Sequence, residues 1–247
     1  MFHSLMLVLL LADVGTAKPD AQAILDRVLE SRPTKDFSLK ARLFVSRDEP
    51  VPVEILVRNA ADDTRTIYRA GEVELLVVQP VRGEAQFYRR GTGQLAGEQR
   101  TQRLLQSSFS YYDLGLPFLH WPDPKFVEAA RFRGRDCLVI ESSALGEPYA
   151  RVQMYIDKQY NALLRVVALD EYRYPVKRFM VTSFKRLGEV WIPRALEVAY
   201  VPPGQVLPAE EKSRLEIYEG NYDAELPAEW FLPERFGATK SATQQTK

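Results

Sequence analysis

From Phe37 the chain alternates with a period of two. Phe37, Leu39, Ala41, Leu43 and Val45 alternate with Ser38, Lys40, Arg42, Phe44 and Ser46. After the Asp48-Glu49-Pro50 turn, Val51, Val53, Ile55 and Val57 repeat the pattern against Pro52, Glu54, Leu56 and Arg58. Successive strand side chains point to opposite faces, so this spacing predicts an antiparallel hairpin with one apolar face. Further strand-like runs follow at 64–70, 73–79 and 85–89, and later at 126–132, 137–142, 149–157, 163–170, 176–185, 189–201 and 214–220. Turn signals such as Arg133-Gly134, Leu145-Gly146, Tyr174-Pro175 and Leu187-Gly188 separate them, and no crossover helix intervenes. Two stretches break the alternation. Ala21, Ile24, Leu25, Val28 and Leu29 fall on one stripe of a short helix that Pro33 ends. Residues 99–124 carry Leu104-Leu105, Phe109, Tyr111-Tyr112, Leu114, Leu116, Phe118-Leu119 and Trp121 among prolines and glycines, the mark of short helices and loops laid over a sheet.

The expected fold class is therefore mainly β with a few helices. It is a single large antiparallel half-barrel with an N-terminal helix and a helical, aromatic cover, its strands read as one long meander that curls to manage its edges. Strand residues Leu43, Val53, Ile55, Val57, Val152, Met154, Ile156, Val167, Met180, Phe184, Leu196, Val198 and Ile217 fall in register on one apolar face. That face fits two readings, an ordinary filled core or a cavity for an acyl chain. Phe109, Tyr111, Tyr112, Leu114, Leu116, Phe118 and Trp121 are the residues of a possible lid, or else of the same core.

The ends read differently. Leu5 to Leu11 is an unbroken apolar run, too short to span a bilayer, and Gly15-Thr16-Ala17 offers small residues for cleavage. Residues 1–17 are expected to be a secretory signal, 18–236 the folded domain and 237–247 a polar disordered tail.

Composition narrows the chemistry. With 33 basic and 33 acidic residues and a pI near 6.8, the chain lacks the basic footprint of a nucleic-acid binder. The single cysteine, Cys137, permits no internal disulfide and reads as a small buried hydrophobe. His3 lies in the expected signal, which leaves His120, in the loop ending Trp121-Pro122-Asp123-Pro124, as a polar surface histidine. One histidine and one cysteine cannot assemble a zinc site, and nothing near His120 resembles a nucleophile elbow. Gly91-Thr92-Gly93, with Gly97 beyond, lacks the spacing of a phosphate loop and suits a hairpin turn. Asp62-Asp63 and Glu210-Glu211 fall at expected turns as solvated pairs. No enzyme, metal or cofactor is expected.

Phe109-Ser110-Tyr111-Tyr112-Asp113-Leu114, Gly134-Arg135-Asp136-Cys137-Leu138-Val139-Ile140-Glu141, the run from Tyr149 to Lys158, and Val190-Trp191-Ile192-Pro193-Arg194 stand in a characteristic order and spacing. With the closing Leu226-Pro227-Ala228-Glu229-Trp230-Phe231-Leu232-Pro233, they make the chain resemble the outer-membrane lipoprotein-sorting-protein-like family, relatives of the LolA/LolB periplasmic carriers. The resemblance runs from about Ile24 to Phe236. It implies an unclosed half-barrel that holds lipid or lipoprotein acyl chains in the periplasm without catalysis. An inner-membrane transporter or an outer-membrane acceptor would be its partner, and the protein itself a monomer. The lipid-contacting residues of better-studied carriers do not transfer onto this sequence. The alternative the resemblance offers is a periplasmic lipid-sensing regulator that binds a membrane-bound signalling partner. Such regulators usually add a second small domain, and only eleven residues follow Phe236.

Overall fold

A computed structural model of the chain describes residues 18–45, 49–201 and 211–237. The expected signal segment and all but the first residue of the expected tail lie outside the described residues.

The chain opens with α1 (Ala21–Glu30), capped by Asp20, whose Oδ1 accepts from the backbone N–H groups of Gln22 and Ala23. This satisfies donors that a helix N-terminus leaves without partners. Its Ala21, Ile24, Leu25 and Val28 are buried, as the spacing predicts. Six strands follow: β1 (Phe37–Val45), β2 (Val51–Asn59), β3 (Asp63–Ala70), β4 (Val73–Pro80), β5 (Gln86–Arg89) and β6 (Gly93–Gln94). After a long connection come β7 (Lys125–Phe132), β8 (Arg135–Ser143), β9 (Arg151–Asp157), β10 (Leu163–Leu169), β11 (Pro175–Leu187), β12 (Val190–Tyr200) and β13 (Glu211–Tyr222).

All thirteen described strands form one antiparallel, unclosed sheet in the order β6-β5-β4-β3-β2-β1-β13-β12-β11-β10-β9-β8-β7. This corrects the expectation of one continuous meander. There are two meanders, β1–β6 and β7–β13, joined at the centre by the pairing of β1 with β13, where Leu43 faces Leu215. The reason lies in the edges. β6 and β7 are consecutive in sequence but stand at opposite margins of the sheet, so residues 95–124 must cross its concave face. The aromatic cover is thus a consequence of connectivity.

The sheet curls. Register shifts between Lys40 and Ala41 on β1, and twice on β11 around Ser183, bend the central strands as bulges do. The main core fills much of the concave side, with Leu43, Leu75, Val77, Ile140, Val152 and Met154 all fully buried. A second cluster lies on the convex side. Leu56, Ile67, Leu76 and Val78 pack there against Phe231 and Phe236 of the C-terminal 3-10 turns. Arg65 Nη1 donates to the Phe231 carbonyl at 3.2 Å and Arg90 Nη1 to that of Arg235 at 3.0 Å. The expectation of one apolar face for the first hairpin therefore fails at β2, which like β3 and β4 is apolar on both faces, because the closing segment folds back over them.

Candidate functional site

The cover begins with 3-10 turns at Gly97–Thr101 and Leu104–Gln106, continues as the one-turn helix α2 (Tyr111–Gly115), and ends in the 3-10 turn Pro117–His120. Ser110 and Asp113 set α2 by a reciprocal cap: Ser110 N–H donates to Asp113 Oδ2 at 2.7 Å, and Asp113 N–H to Ser110 Oγ at 3.3 Å. The short pieces follow from the sequence. Leu105, Gln106 and Leu116 hold positive φ of 46°, 60° and 44°, which side-chain-bearing residues rarely adopt and which ends each helical turn. Gly115 is needed for a different reason. A Cβ there would lie 2.6 Å from Phe87 Cζ and 3.2 Å from Val77 Cγ1.

Asp113 is the polar centre of this cover. Its Oδ2 accepts from Lys177 Nζ at 2.7 Å and its Oδ1 from Tyr149 Oη at 2.5 Å. All its described partners are donors, so the buried carboxylate is satisfied as an anion. Tyr149 lies just before β9 and Lys177 on β11, so one carboxylate ties the cover to two places on the far half of the sheet. Burial and the adjacent Asp113 carboxylate push the Tyr149 hydroxyl well above its ordinary pKa, so it stays a donor. On the near half, Tyr68 Oη donates to the Leu114 carbonyl at 3.3 Å and Gln79 Nε2 to that of Gly115 at 2.5 Å. Ser108 N–H donates to Ser213 Oγ at 2.9 Å, which adds a tie to β13.

The cover fills only part of the trough. Phe87 stacks on Tyr112, Tyr112 meets Tyr149 edge to face, and Phe118 packs on Trp121 and Phe179. Beside this aromatic plug lies a cavity of about 450 Å³, within the range of small-molecule sites. Its walls come from the end of α1, from β1–β4, from β10–β13 and from the cover, and they are mostly apolar.

Of the strand residues expected on the apolar face, Ile55, Val57, Met180, Phe184, Leu196 and Ile217 line this cavity. Leu43, Val53, Val152, Met154, Ile156 and Val198 are buried on the core side but lie away from it, because the cover and neighbouring strands pack on them. Val167 turns to the opposite face, with Val166 and Ala168 in the core on either side of it. Of the seven cover residues, Phe109, Leu114 and Leu116 line the cavity, whereas Tyr111, Tyr112, Phe118 and Trp121 are buried elsewhere. Phe184 and Trp191 line it while remaining exposed, which places them at its rim. Phe37, Leu39, Phe179, Val181, Ile192 and Leu215 also form its walls. The alternation marks Phe37, Leu39 and Leu215 as inward-facing without showing which lie beyond the plug, whereas on β11 it is Phe179, next to the expected Met180, that joins the core.

One single residue also differs from expectation, while Cys137 is buried as expected. His120 is not a free surface side chain. It is partly buried, its Nε2 lacks a hydrogen-bond partner among the described residues, and burial together with the Arg32 charge lowers its pKa. Cys137 is a buried free thiol, and burial raises its pKa. The glycines Gly91 and Gly93 take positive φ at the β5–β6 hairpin. Among the described residues, no group of three or more His, Cys, Asp or Glu side chains is placed to hold a metal, and no helix is long and apolar enough to cross a membrane.

A family model described as uncharacterized-protein-like matches residues 89–237, more than half of the 247-residue chain. No curated protein matches the sequence. Three solved structures are similar in fold. One, from Vibrio parahaemolyticus, is provisionally described as an outer membrane lipoprotein-sorting protein domain, with a TM-score of 0.74 at 12% identity over 85% of this chain and 95% of that one. A DUF1329 family protein from Desulfovibrio piger gives 0.72 at 15% identity over 87% and 97%. A LolA superfamily protein from Nitrosomonas europaea gives 0.60 at 15% identity over 87% and 98%. The chain therefore belongs to the uncharacterized-protein-like family whose model spans residues 89–237, and its fold is that of the outer-membrane lipoprotein-sorting, LolA-like proteins.

Proposed function

We propose that this protein is a periplasmic carrier or chaperone that holds the acyl chain of a lipoprotein or another lipid, for transport to or maintenance of the outer membrane. The observation that carries this reading is the apolar cavity of about 450 Å³ beneath a cover that crosses the concave face. Removing an acyl chain from water is worth ~0.8 kcal/mol per methylene. Burying even part of a chain there would hold it firmly while the charged strand positions outside stay hydrated. The protein acts by binding alone, as a monomer. Residues 1–17 direct export, and the functional domain runs from about residue 18 to 236. An inner-membrane donor and an outer-membrane acceptor are its partners.

In this reading the cover is also the lid. Its helical pieces are short, three of its non-glycine residues hold strained φ, and a few polar ties fix it to both halves of the sheet. Such a segment can open locally at less cost than a strand. Purified mature protein, extracted with organic solvent and analysed by mass spectrometry, should yield a lipid in near-stoichiometric amount. A protein that is consistently lipid-free and also fails to take up a fluorescent fatty acid contradicts the reading.

A further inference from the structure

The cavity wall carries polar side chains, and several of them are already engaged. Asn59 donates to the Lys35 carbonyl at 2.7 Å and Thr64 to Asn59 Oδ1 at 3.0 Å. Gln79 and Tyr68 hold the cover, and Asp113 is saturated by its donors. Two cations also line it: Arg165, whose guanidinium lies over the Phe132 and Tyr155 rings, and Arg32, which has no such stacking partner among the described residues. Arg32 lines the cavity at the C-terminal end of α1, and among the described residues its guanidinium pairs with no carboxylate or carbonyl.

A bland role is open to it. A cation near a helix C-terminus interacts favourably with the helix dipole. That role needs no contact with an apolar cavity, however, and Arg32 lines one. The neighbouring group deepens the imbalance. His120, at the end of the cover, lies close enough for the Arg32 charge to oppose its protonation, and its buried Nε2 is also without a partner. Burial likewise lowers the Arg32 pKa. A cation with no acceptor among the described residues therefore lines the apolar cavity, and His120 lies within its field. An anion would complement it.

We propose that Arg32, assisted by His120, binds the acidic headgroup of a single-chain amphiphile whose tail lies in the cavity, so that the preferred ligand is an anionic lipid such as a fatty acid. The tail would run between Ile55, Phe179 and Leu196, and the carboxylate would stop at the guanidinium. The volume, about 450 Å³, is in the range of small-ligand sites. This assignment rests on the carrier reading and names its ligand class.

The test is displacement of a neutral apolar dye, N-phenyl-1-naphthylamine, by palmitate, by methyl palmitate and by acetate. For the natural protein, palmitate should displace the dye at roughly tenfold lower concentration than its methyl ester, the gain of one charge-assisted contact, and acetate should not displace it. In Arg32→Met this preference should vanish while the ester binds as before, which also shows that the variant is folded. Arg32→Lys should restore part of it, and His120→Phe should weaken palmitate more than the ester. Equal affinity for acid and ester in the natural protein, or an unchanged preference in Arg32→Met, overturns the headgroup site but leaves the carrier reading standing. Displacement by acetate alone overturns the amphiphile. Failure of dye, acid and ester to bind at all overturns both.

Discussion

Lys177 Nζ lies 2.7 Å from Asp113 Oδ2, with the two side chains 9% and 0% exposed. This pair joins the cover to β11 across 64 residues of sequence. A buried ion pair is costly to assemble, but removing one member leaves the other charged and desolvated. The pair therefore fixes where the cover sits more than it adds to net stability.

Removing one partner should be much worse than removing both. Asp113→Asn or Lys177→Met should each cost about 3–5 kcal/mol. The double variant should recover part of that loss. Chemical denaturation of the four proteins in a double-mutant cycle measures the coupling. Single variants within about 0.5 kcal/mol of the natural protein, the range of ordinary surface changes, would show that the pair is solvated and does not tether the cover.

Gly115 and Phe87 give a steric prediction. Because a Cβ at Gly115 would lie 2.6 Å from the Phe87 ring, Gly115→Ala should destabilise by about 1–3 kcal/mol, as overpacking does. Phe87→Leu in the same chain should relieve most of it. Thermal melts of the two single variants and the double variant decide the point, and additive losses would rule out this contact as the cause.

His120 predicts a pH dependence. Burial, with Arg32 nearby, sets its folded pKa below the ordinary value, which is about 6.5. The unfolded ring thus binds its proton at a pH where the folded ring does not, so acid favours unfolding. Stability present above about pH 6.5 should fall as the pH drops from there toward the lowered folded value. His120→Gln should be flatter over the same window. Urea midpoints at pH 7, 6 and 5 test this, and parallel curves for the two proteins would contradict it.

Much of this architecture is legible in the chain. The period-two runs mark the inward residues of β1, β2, β9 and β12, and the helical spacing of Ala21, Ile24, Leu25 and Val28 marks α1. What stays hidden depends on long-range pairing. Neither Asp113 nor Lys177 stands out locally, because an acid at the third position of a capped turn and a lysine in a strand are both ordinary. The β1–β13 pairing, which turns one meander into two, leaves no local signal either. The outward-facing Leu56, Ile67, Leu76 and Val78 look like breaks in the alternation until Phe231 and Phe236 cover them. Periodicity can name the residues of a face, yet only the crossing of 95–124 decides which are plugged and which line a cavity.

The lid reading makes a claim about dynamics. Backbone amides across 104–121 should exchange faster than those of β1, β12 and β13, and should slow when a lipid binds. Hydrogen exchange followed by mass spectrometry, with and without palmitate, resolves this segment. Exchange as slow as in the central strands, with no response to palmitate, would make the whole cover fixed core and place ligand entry elsewhere.

The central claim is that the cavity itself takes the acyl chain, and blocking it is the most direct test. Leu196 lines the cavity and is only partly buried, so Leu196→Trp adds bulk where the tail would lie without displacing the aromatic plug. Titration with a fluorescent fatty acid should give saturable binding to the natural protein and at least about tenfold weaker binding to Leu196→Trp, as expected when some two methylenes lose their site, with both proteins equally stable to urea. Equal affinity for the two proteins would contradict the account, because the chain would then bind somewhere other than this cavity.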